Sequence, residues 1–306
     1  MESVHGTEAD IPSVDLDLDL DSGEGAVVLG EACRRLGFFF ARRHGVPEAL
    51  MGPAFAETRR FYARPDHEKR TYAASARSQF LGYRGVGQER STSHAGGEAC
   101  EQFRIGGTTR ALAVEPSSGF FHGPFANCSA IFESLVVLGD RLLAACAEDL
   151  SLDGALTGSC QASPMHRLGL NSYRPGHGAD IANTVDYAMS PHIDHAYFTV
   201  VLQDEPGLQV QDENGVWLSV PLVPDAVFVF LGDYLQRATN GIYRAATHRV
   251  GAVSADRISI QYKHRPAYST VVAPLGACAN ADTPPRYEPF DTGNQYASLL
   301  QSLLDR

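Results

Sequence analysis

Ser190-Pro191-His192-Ile193-Asp194-His195 opens a segment that continues through Tyr243-Arg244-Ala245-Ala246-Thr247-His248-Arg249-Val250 to Arg257-Ile258-Ser259. In an extended strand alternate side chains share a face, so His192 and Asp194 are expected to point the same way, and His195 away from Asp194. His248 from a later strand completes two imidazoles and one carboxylate. That donor set leaves half of an octahedron open, as in a non-haem ferrous site. A lone His-x-Asp occurs by chance in many chains; the spacing of the other parts raises the signal.

Short β segments surround these residues: Arg167 to Tyr173, Tyr197 to Gln203, Leu208 to Gln211, Trp217 to Val220, Ala226 to Leu231, Tyr243 to Val250 and Arg257 to His264. Turn signals such as Asn214-Gly215 and Asn240-Gly241 separate them. Many short strands at this spacing predict a jelly roll or related barrel. Upstream, Val28, Leu29, Ala32, Cys33 and Leu36 recur at helical spacing, and Gly37 is placed to stop that helix. Phe38 to Ala41 is a strand. Pro47 suits the first turn of a helix running to about Tyr62, and a short one starts at Pro65. From Ala73 to about Ala126 periodicity fades into Gly, Ser and Arg, which predicts lid or binding loops. Asn127 to Leu150 and Thr292 to Leu304 read as helices, and residues 1–10 as a disordered tail.

At 306 residues the chain has room for a full-sized core. It is 44% hydrophobic and 20% charged, with 29 Gly and 17 Pro, the material of a loop-rich β fold. A net charge of -11 argues against nucleic acid or an anionic membrane as partner, because phosphate binding needs clustered cations. No secretory signal and no apolar run of about 18 to 20 residues is visible. Cys33, Cys100, Cys128, Cys146, Cys160 and Cys278 are scattered without a C-x-x-C, which fits reduced core thiols in a cytoplasmic protein.

Nearly the whole chain, roughly 11 to 304, resembles the isopenicillin N synthase-like branch of the Fe(II)/2-oxoglutarate-dependent oxygenases. The N-terminal matches are Ile11-Pro12, Asp15-Leu16, Gly37-Phe38-Phe39, His44-Gly45-Val46-Pro47, Phe61-Tyr62 and Gly82-Tyr83. The core matches include Leu170-Asn171-Ser172-Tyr173, Pro191-His192-Ile193-Asp194, Gly207-Leu208-Gln209-Val210, Gly232-Asp233, Thr239-Asn240-Gly241, His248-Arg249-Val250 and Arg257-Ile258-Ser259. The resemblance implies a mainly β fold with flanking α: a double-stranded β-helix (jelly roll) core with N-terminal and C-terminal helices. One oxygenase domain is then expected over 11–306, with a helical and loop part at 11–126, the core at 160–266 and a C-terminal extension and helix at 267–306.

The resemblance also implies roles. His192, Asp194 and His248 would hold Fe(II), leaving room for a bidentate 2-oxoglutarate and for O2. Arg257 and Ser259 would take the distal carboxylate of 2-oxoglutarate, with Tyr173 supporting it and Asn171 beside its metal-binding end. Relatives that use no 2-oxoglutarate, such as isopenicillin N synthase itself, keep the same Arg-x-Ser, so a 2-oxoglutarate-independent oxidase is the alternative; a silent ligand-binding protein of this fold is another. The substrate is expected to be a small molecule, hydroxylated, desaturated or rearranged, in bacterial specialised metabolism such as antibiotic biosynthesis. The protein is expected to be a monomer or weak homodimer. Period-2 alternation puts Gln261 and Lys263 on the face of Arg257 and Ser259, so both are substrate candidates. An inward Lys263 would want an anion. Tyr197 and Phe198 either line the pocket or pack in the core. Arg104, like Arg84, either touches substrate or is a solvated surface arginine.

Overall fold

The computed structural model describes residues 11–17, 24–75, 78–88, 97–108, 119–152, 154–160, 164–177 and 187–304. The expected tail at 1–10 lies outside them. In chain order the elements that build the site are β1 (Ser13–Asp15), α1 (Glu24–Arg35), β2 (Phe38–Arg42), α2 (Glu48–Tyr62), β3 (Gly82–Arg84), β4 (Glu101–Thr108), β5 (Gly119–Phe121) and α3 (Ala126–Asp149). Then come β6 (Arg167–Tyr173), β7 (Tyr187–His192), β8 (Phe198–Gln203), β9 (Leu208–Gln211), β10 (Trp217–Ser219), β11 (Ala226–Leu231), α4 (Asp233–Ala238), β12 (His248–Gly251), β13 (Arg257–His264) and α5 (Thr292–Leu304).

A large sheet runs β1-β2-β11-β8-β13-β6-β4-β3, with β5 on β4, and a smaller sheet runs β10-β9-β12-β7. Apart from the parallel β1–β2 pair, every pairing in these two sheets is antiparallel. The sheets face each other as a double-stranded β-helix. Strand alternation sorts the large sheet's side chains between two layers. Phe39, Val200, Leu202, Val229, Leu168, Ile258 and Ile260 point outward and bury against helical residues such as Leu29, Phe61, Ile131, Leu135 and Leu142. Phe38, Phe40, Val201, Phe228 and Phe230 point inward and meet Leu208, Val210 and Leu218 of the smaller sheet. Helix α3 is held at its start by α2: the Glu57 carboxylate accepts the backbone N–H groups of Ala126, Asn127 and Cys128 at 2.9–3.1 Å. Those are donors that a helix leaves without partners of its own, and a negative charge there suits the helix dipole. Gly37, at φ +76°, ends the first helix as expected. All six cysteines are buried, and none is in a disulfide.

Three expectations need correction. The stretch from Ala73 to Ala126 is not loop throughout: β3, β4 and β5 come from it and extend the large sheet. Tyr243 to Thr247 is irregular, and the strand begins only at His248. Strand β7 ends at His192, so Asp194 shares no strand with it.

Candidate metal centre

His192 closes β7 and His248 opens β12, and the two are paired across the strands. Their ring centroids lie 4.2 Å apart. Each ring is oriented by its own backbone: His192 Nδ1 lies 2.8 Å from the Ser190 carbonyl, and His248 Nδ1 lies 3.1 Å from that of Ala246. A carbonyl only accepts, so each Nδ1 carries the hydrogen and each Nε2 keeps its lone pair for a metal. Burial, with His192 beside it, pushes His248 down to about 3, which keeps that lone pair free of a proton.

Asp194 reaches the same point from the loop after β7. Its Oδ1 lies 3.6 Å from His192 Nε2 and 4.0 Å from His248 Nε2. One donor atom from each of the three lies within 4.8 Å of the others. Donors about 2.1 Å from one ion at right angles sit about 3 Å apart, so small shifts would close the set. The other oxygen, Oδ2, accepts from Thr199 Oγ1 at 2.6 Å. Burial alone would raise this carboxyl, but the Lys263 ammonium and the two imidazoles hold it well below the usual range. The loop is clipped to the large sheet: Asp233 N donates to the Asp194 carbonyl at 3.0 Å. A Cβ on Gly232 would stand 2.5 Å from that carbonyl oxygen and 2.3 Å from the Ala196 oxygen, so this close approach requires glycine. His195 turns away, its Nδ1 3.1 Å from Asp233 Oδ2.

The inner face of β13 carries Arg257, Ser259, Gln261 and Lys263, opposite Tyr173, Asn171, Gly169 and Arg167 of β6. Arg257 is 1% exposed. Its Nε donates to the Glu205 carbonyl at 3.0 Å and its Nη2 to Gln203 Oε1 at 2.8 Å, while the guanidinium lies 4.9 Å from the Tyr173 ring centroid. Its Nη1 is buried without a hydrogen-bond partner. Such an orphan is expensive, and a carboxylate would satisfy it. Ser259 Oγ accepts from Gln261 Nε2 at 3.3 Å. Asn171 Nδ2 donates to the Tyr173 hydroxyl at 3.1 Å, and Asn171 Oδ1 accepts from Gln102 Nε2 at 3.0 Å. Arg104 Nε donates to Gln102 Oε1 at 2.6 Å, which places Arg104 on the same face through β4. Lys263 Nζ donates to Asp194 Oδ1 at 2.6 Å.

The structure therefore gathers His192, Asp194, His248, Arg257, Ser259, Tyr173, Asn171, Gln261, Lys263 and Arg104 around one space between the sheets. Tyr197 and Phe198 are not among them. Both belong to the helix-side core, with Phe198 completely buried and the Tyr197 hydroxyl 3.0 Å from Ser159 Oγ. Sequence reasoning missed Thr199, Gln203 and Arg167. Period-2 alternation from Asn171 and Tyr173 reaches Arg167, and the same step from Gln203 reaches Thr199, so that signal was present.

The donor set, with both Nε2 atoms freed and a buried carboxylate, fits a ferrous ion. The orphaned Arg257 nitrogen fits an acid beside it. Comparison with known proteins agrees. Residues 164–266 match the family model of the 2OG-Fe(II) oxygenase superfamily. Residues 11–120 match the model described as non-haem dioxygenase in morphine synthesis N-terminal. Kihadalactone A synthase of Citrus sinensis is 29% identical over 335 residues, covering 98% of this chain and 95% of that protein. Among solved structures, JOX2 in complex with 2OG, Fe and JA is 26% identical with a TM-score of 0.77, over 95% of this chain and 85% of that one. Neurospora crassa T7H in complex with alpha-KG and thymine shares the fold, at 20% identity and a TM-score of 0.80, over 95% and 96% of the two chains.

Proposed function

The chain belongs to the Fe(II)/2-oxoglutarate-dependent oxygenases and is a dioxygenase of that kind; from this premise we propose that His192, Asp194 and His248 hold the ferrous ion and that Arg257 and Ser259 anchor the distal carboxylate of 2-oxoglutarate. Tyr173 supports that carboxylate, and Asn171 lies beside the cosubstrate's metal-binding end. The observation that carries the reading is the convergence of His192 Nε2, His248 Nε2 and Asp194 Oδ1, each with its other polar atom already committed.

When bound, iron with 2-oxoglutarate and O2 supplies the oxidising power for an unactivated C–H bond, 2-oxoglutarate leaving as succinate and CO2. The chain's own residues bind, orient and exclude water. The backbone carbonyls of Ser190 and Ala246 hold both imidazoles in one tautomer, Thr199 fixes the carboxylate, and Phe230, whose ring centroid lies 4.1 Å from that of His248, packs an apolar surface against that imidazole. The substrate is a small molecule that is hydroxylated, desaturated or rearranged, in bacterial specialised metabolism. The net charge of -11 speaks against nucleic acid as substrate or partner. Among the described residues no helix is long and apolar enough to cross a membrane; six buried cysteines outside any disulfide suit a cytoplasmic enzyme. It acts as a monomer or weak homodimer, and residues 11–306 work as one domain.

The test is anaerobic titration with Fe(II) and then 2-oxoglutarate, followed by O2. A visible charge-transfer band and stoichiometric succinate are expected. Substrate oxidation without succinate would turn the reading toward a 2-oxoglutarate-independent oxidase. Failure to bind either ligand would leave a silent protein of the same fold.

A further inference from the structure

The inner face of the large sheet changes character across its width. Under β2 and β11 it is apolar, with Phe40, Phe228 and Phe230, and β8 marks the change, with Val201 between Thr199 and Gln203. Under β13, β6 and β4 it is polar and positive. Lys263 lies opposite Arg167, which lies opposite Gly106; one step along, Gln261 lies opposite Gly169, which lies opposite Arg104. Three cations on three adjacent strands thus share one corner, next to the metal ligands.

Arg167 is 5% exposed. Its Nη1 donates to the His166 carbonyl at 2.9 Å, and its Nε is buried without a hydrogen-bond partner. Its stem lies across Gly106, where a Cβ would stand 2.8 Å from Arg167 Cδ. Tyr296 of α5 closes the corner, its ring centroid 5.6 Å from the Arg167 guanidinium and 5.5 Å from that of Arg265. The field there is strong enough to read on Tyr296: burial raises its hydroxyl's pKa, yet Arg167, Arg265 and Arg104 bring it below the ordinary value. Gly169 keeps the floor free of a side chain: a Cβ added there would make only ordinary contacts, 3.8 Å from Asn171 Oδ1 and from the Gln261 carbonyl oxygen.

Lys263 has the accessible head of this group, its side chain 29% exposed. Its carboxylate partner is Asp194, through the same oxygen that faces both imidazoles. A metal on Asp194 Oδ1 would take that acid away and repel the ammonium. Lys263 would then stand in a positive corner, wanting a new anion beside the side-chain-free floor at Gly169.

We propose that the substrate is a small carboxylate-bearing molecule whose carboxylate pairs with Lys263 over Gly169, in the positive corner made by Arg167 and Arg104. The inference deepens the oxygenase reading and rests on it.

Protein loaded with Mn(II) and saturating 2-oxoglutarate is screened at neutral pH against pairs of small carboxylic acids and their primary amides, with binding read from the thermal midpoint. Acids are expected to raise the midpoint where their amides do not. Lys263→Met is expected to lower affinity for those acids by at least about ten-fold while still binding 2-oxoglutarate, and Lys263→Arg to keep part of the affinity. Arg104→Gln, on strand β4 at the far side of the corner, gives a smaller loss and carries the comparison if Lys263→Met does not fold. Amides bound as well as acids, no acid bound at all, or undiminished acid affinity in these variants overturns the proposal. Wild-type protein that takes up neither Mn(II) nor 2-oxoglutarate sinks the oxygenase reading as well; a loaded protein without acid preference sinks this inference alone.

Discussion

Lys263 Nζ and Asp194 Oδ1 are 2.6 Å apart, on an oxygen that also faces His192 and His248. Without a metal the ammonium neutralises a carboxylate that is 3% exposed. An incoming cation must break this pair. Lys263→Met is therefore expected to destabilise the metal-free protein by about 1–3 kcal/mol, less than for a fully buried pair because Lys263 is partly exposed. The same change is expected to tighten Fe(II) or Mn(II) binding. Calorimetric metal titration of both proteins checks it; equal or weaker metal affinity in the variant counts against the displacement.

Thr199 Oγ1 holds the opposite oxygen of Asp194 at 2.6 Å, from a position paired across the strands with Lys263. Outer partners of metal ligands typically matter by about 10–100-fold in affinity. Thr199→Val is expected to weaken metal binding within that range and, by leaving a buried carboxylate oxygen without its donor, to cost the metal-free protein about 1–3 kcal/mol. Equilibrium dialysis with Mn(II) decides, and unchanged affinity would show that Asp194 is held by its loop alone.

The orphaned Nη1 of Arg257 gives a cosubstrate prediction. Arg257→Met is expected to raise the dissociation constant of 2-oxoglutarate by roughly 30-fold or more, as truncating a buried charge partner costs about 2–5 kcal/mol. Metal binding is expected to persist, because Arg257 makes no contact with His192, Asp194 or His248 in the hydrogen bonds described. A variant that binds 2-oxoglutarate normally would move the acid site elsewhere.

His166 and His264 stack at 4.3 Å between centroids, outside the metal site. Burial, then Arg167 and Arg265, pushes His166 down to about 3; burial, then His166, holds His264 well below the ordinary value. His166 Nδ1 also accepts the Arg265 N–H at 3.0 Å, which needs the ring nitrogen unprotonated. Both folded-state values lie below the unfolded one, so their stabilising share is complete above about 6.5 and is lost as pH falls from there, in the case of His166 down to about 3. Each contributes a slope of up to about 1.4 kcal/mol per pH unit. Denaturation midpoints are expected to drop between pH 7 and pH 5, and His264→Asn to flatten that drop. A wild-type profile level over this window would mean that neither ring stays neutral.

Some of this was legible in the residues and some was not. The grouping of His192, Asp194 and His248 could be read because few residue types bind iron and their spacing sat among many other matches, and the structure brings one donor atom of each within 4.8 Å of the others. Gln261 and Lys263 followed from strand alternation, which survives wherever a strand is straight and paired on both sides, as β13 is with β6 and β8. Strands β3 and β5 escaped because three residues are too few to show a period; β4 does carry one, Phe103 and Ile105 alternating with Gln102 and Arg104, but it is short and set between Gly- and Ser-rich stretches. Arg167 reads alone as a charge at a strand's edge, and only the partner strands turn it inward. Tyr197 and Phe198 were ambiguous because aromatic residues suit either face, and only the start of β8 fixes their direction.

The turn bearing Asp194 is clipped to Gly232 and Asp233 at the end of β11, whereas both imidazoles stand on the smaller sheet. An ion held by all three would fasten the two halves of the sandwich together like a rivet. Iron starvation would then loosen a corner of the molecule as well as idle it, and nicking by a protease near residue 194 is expected to report how much of the population carries its metal.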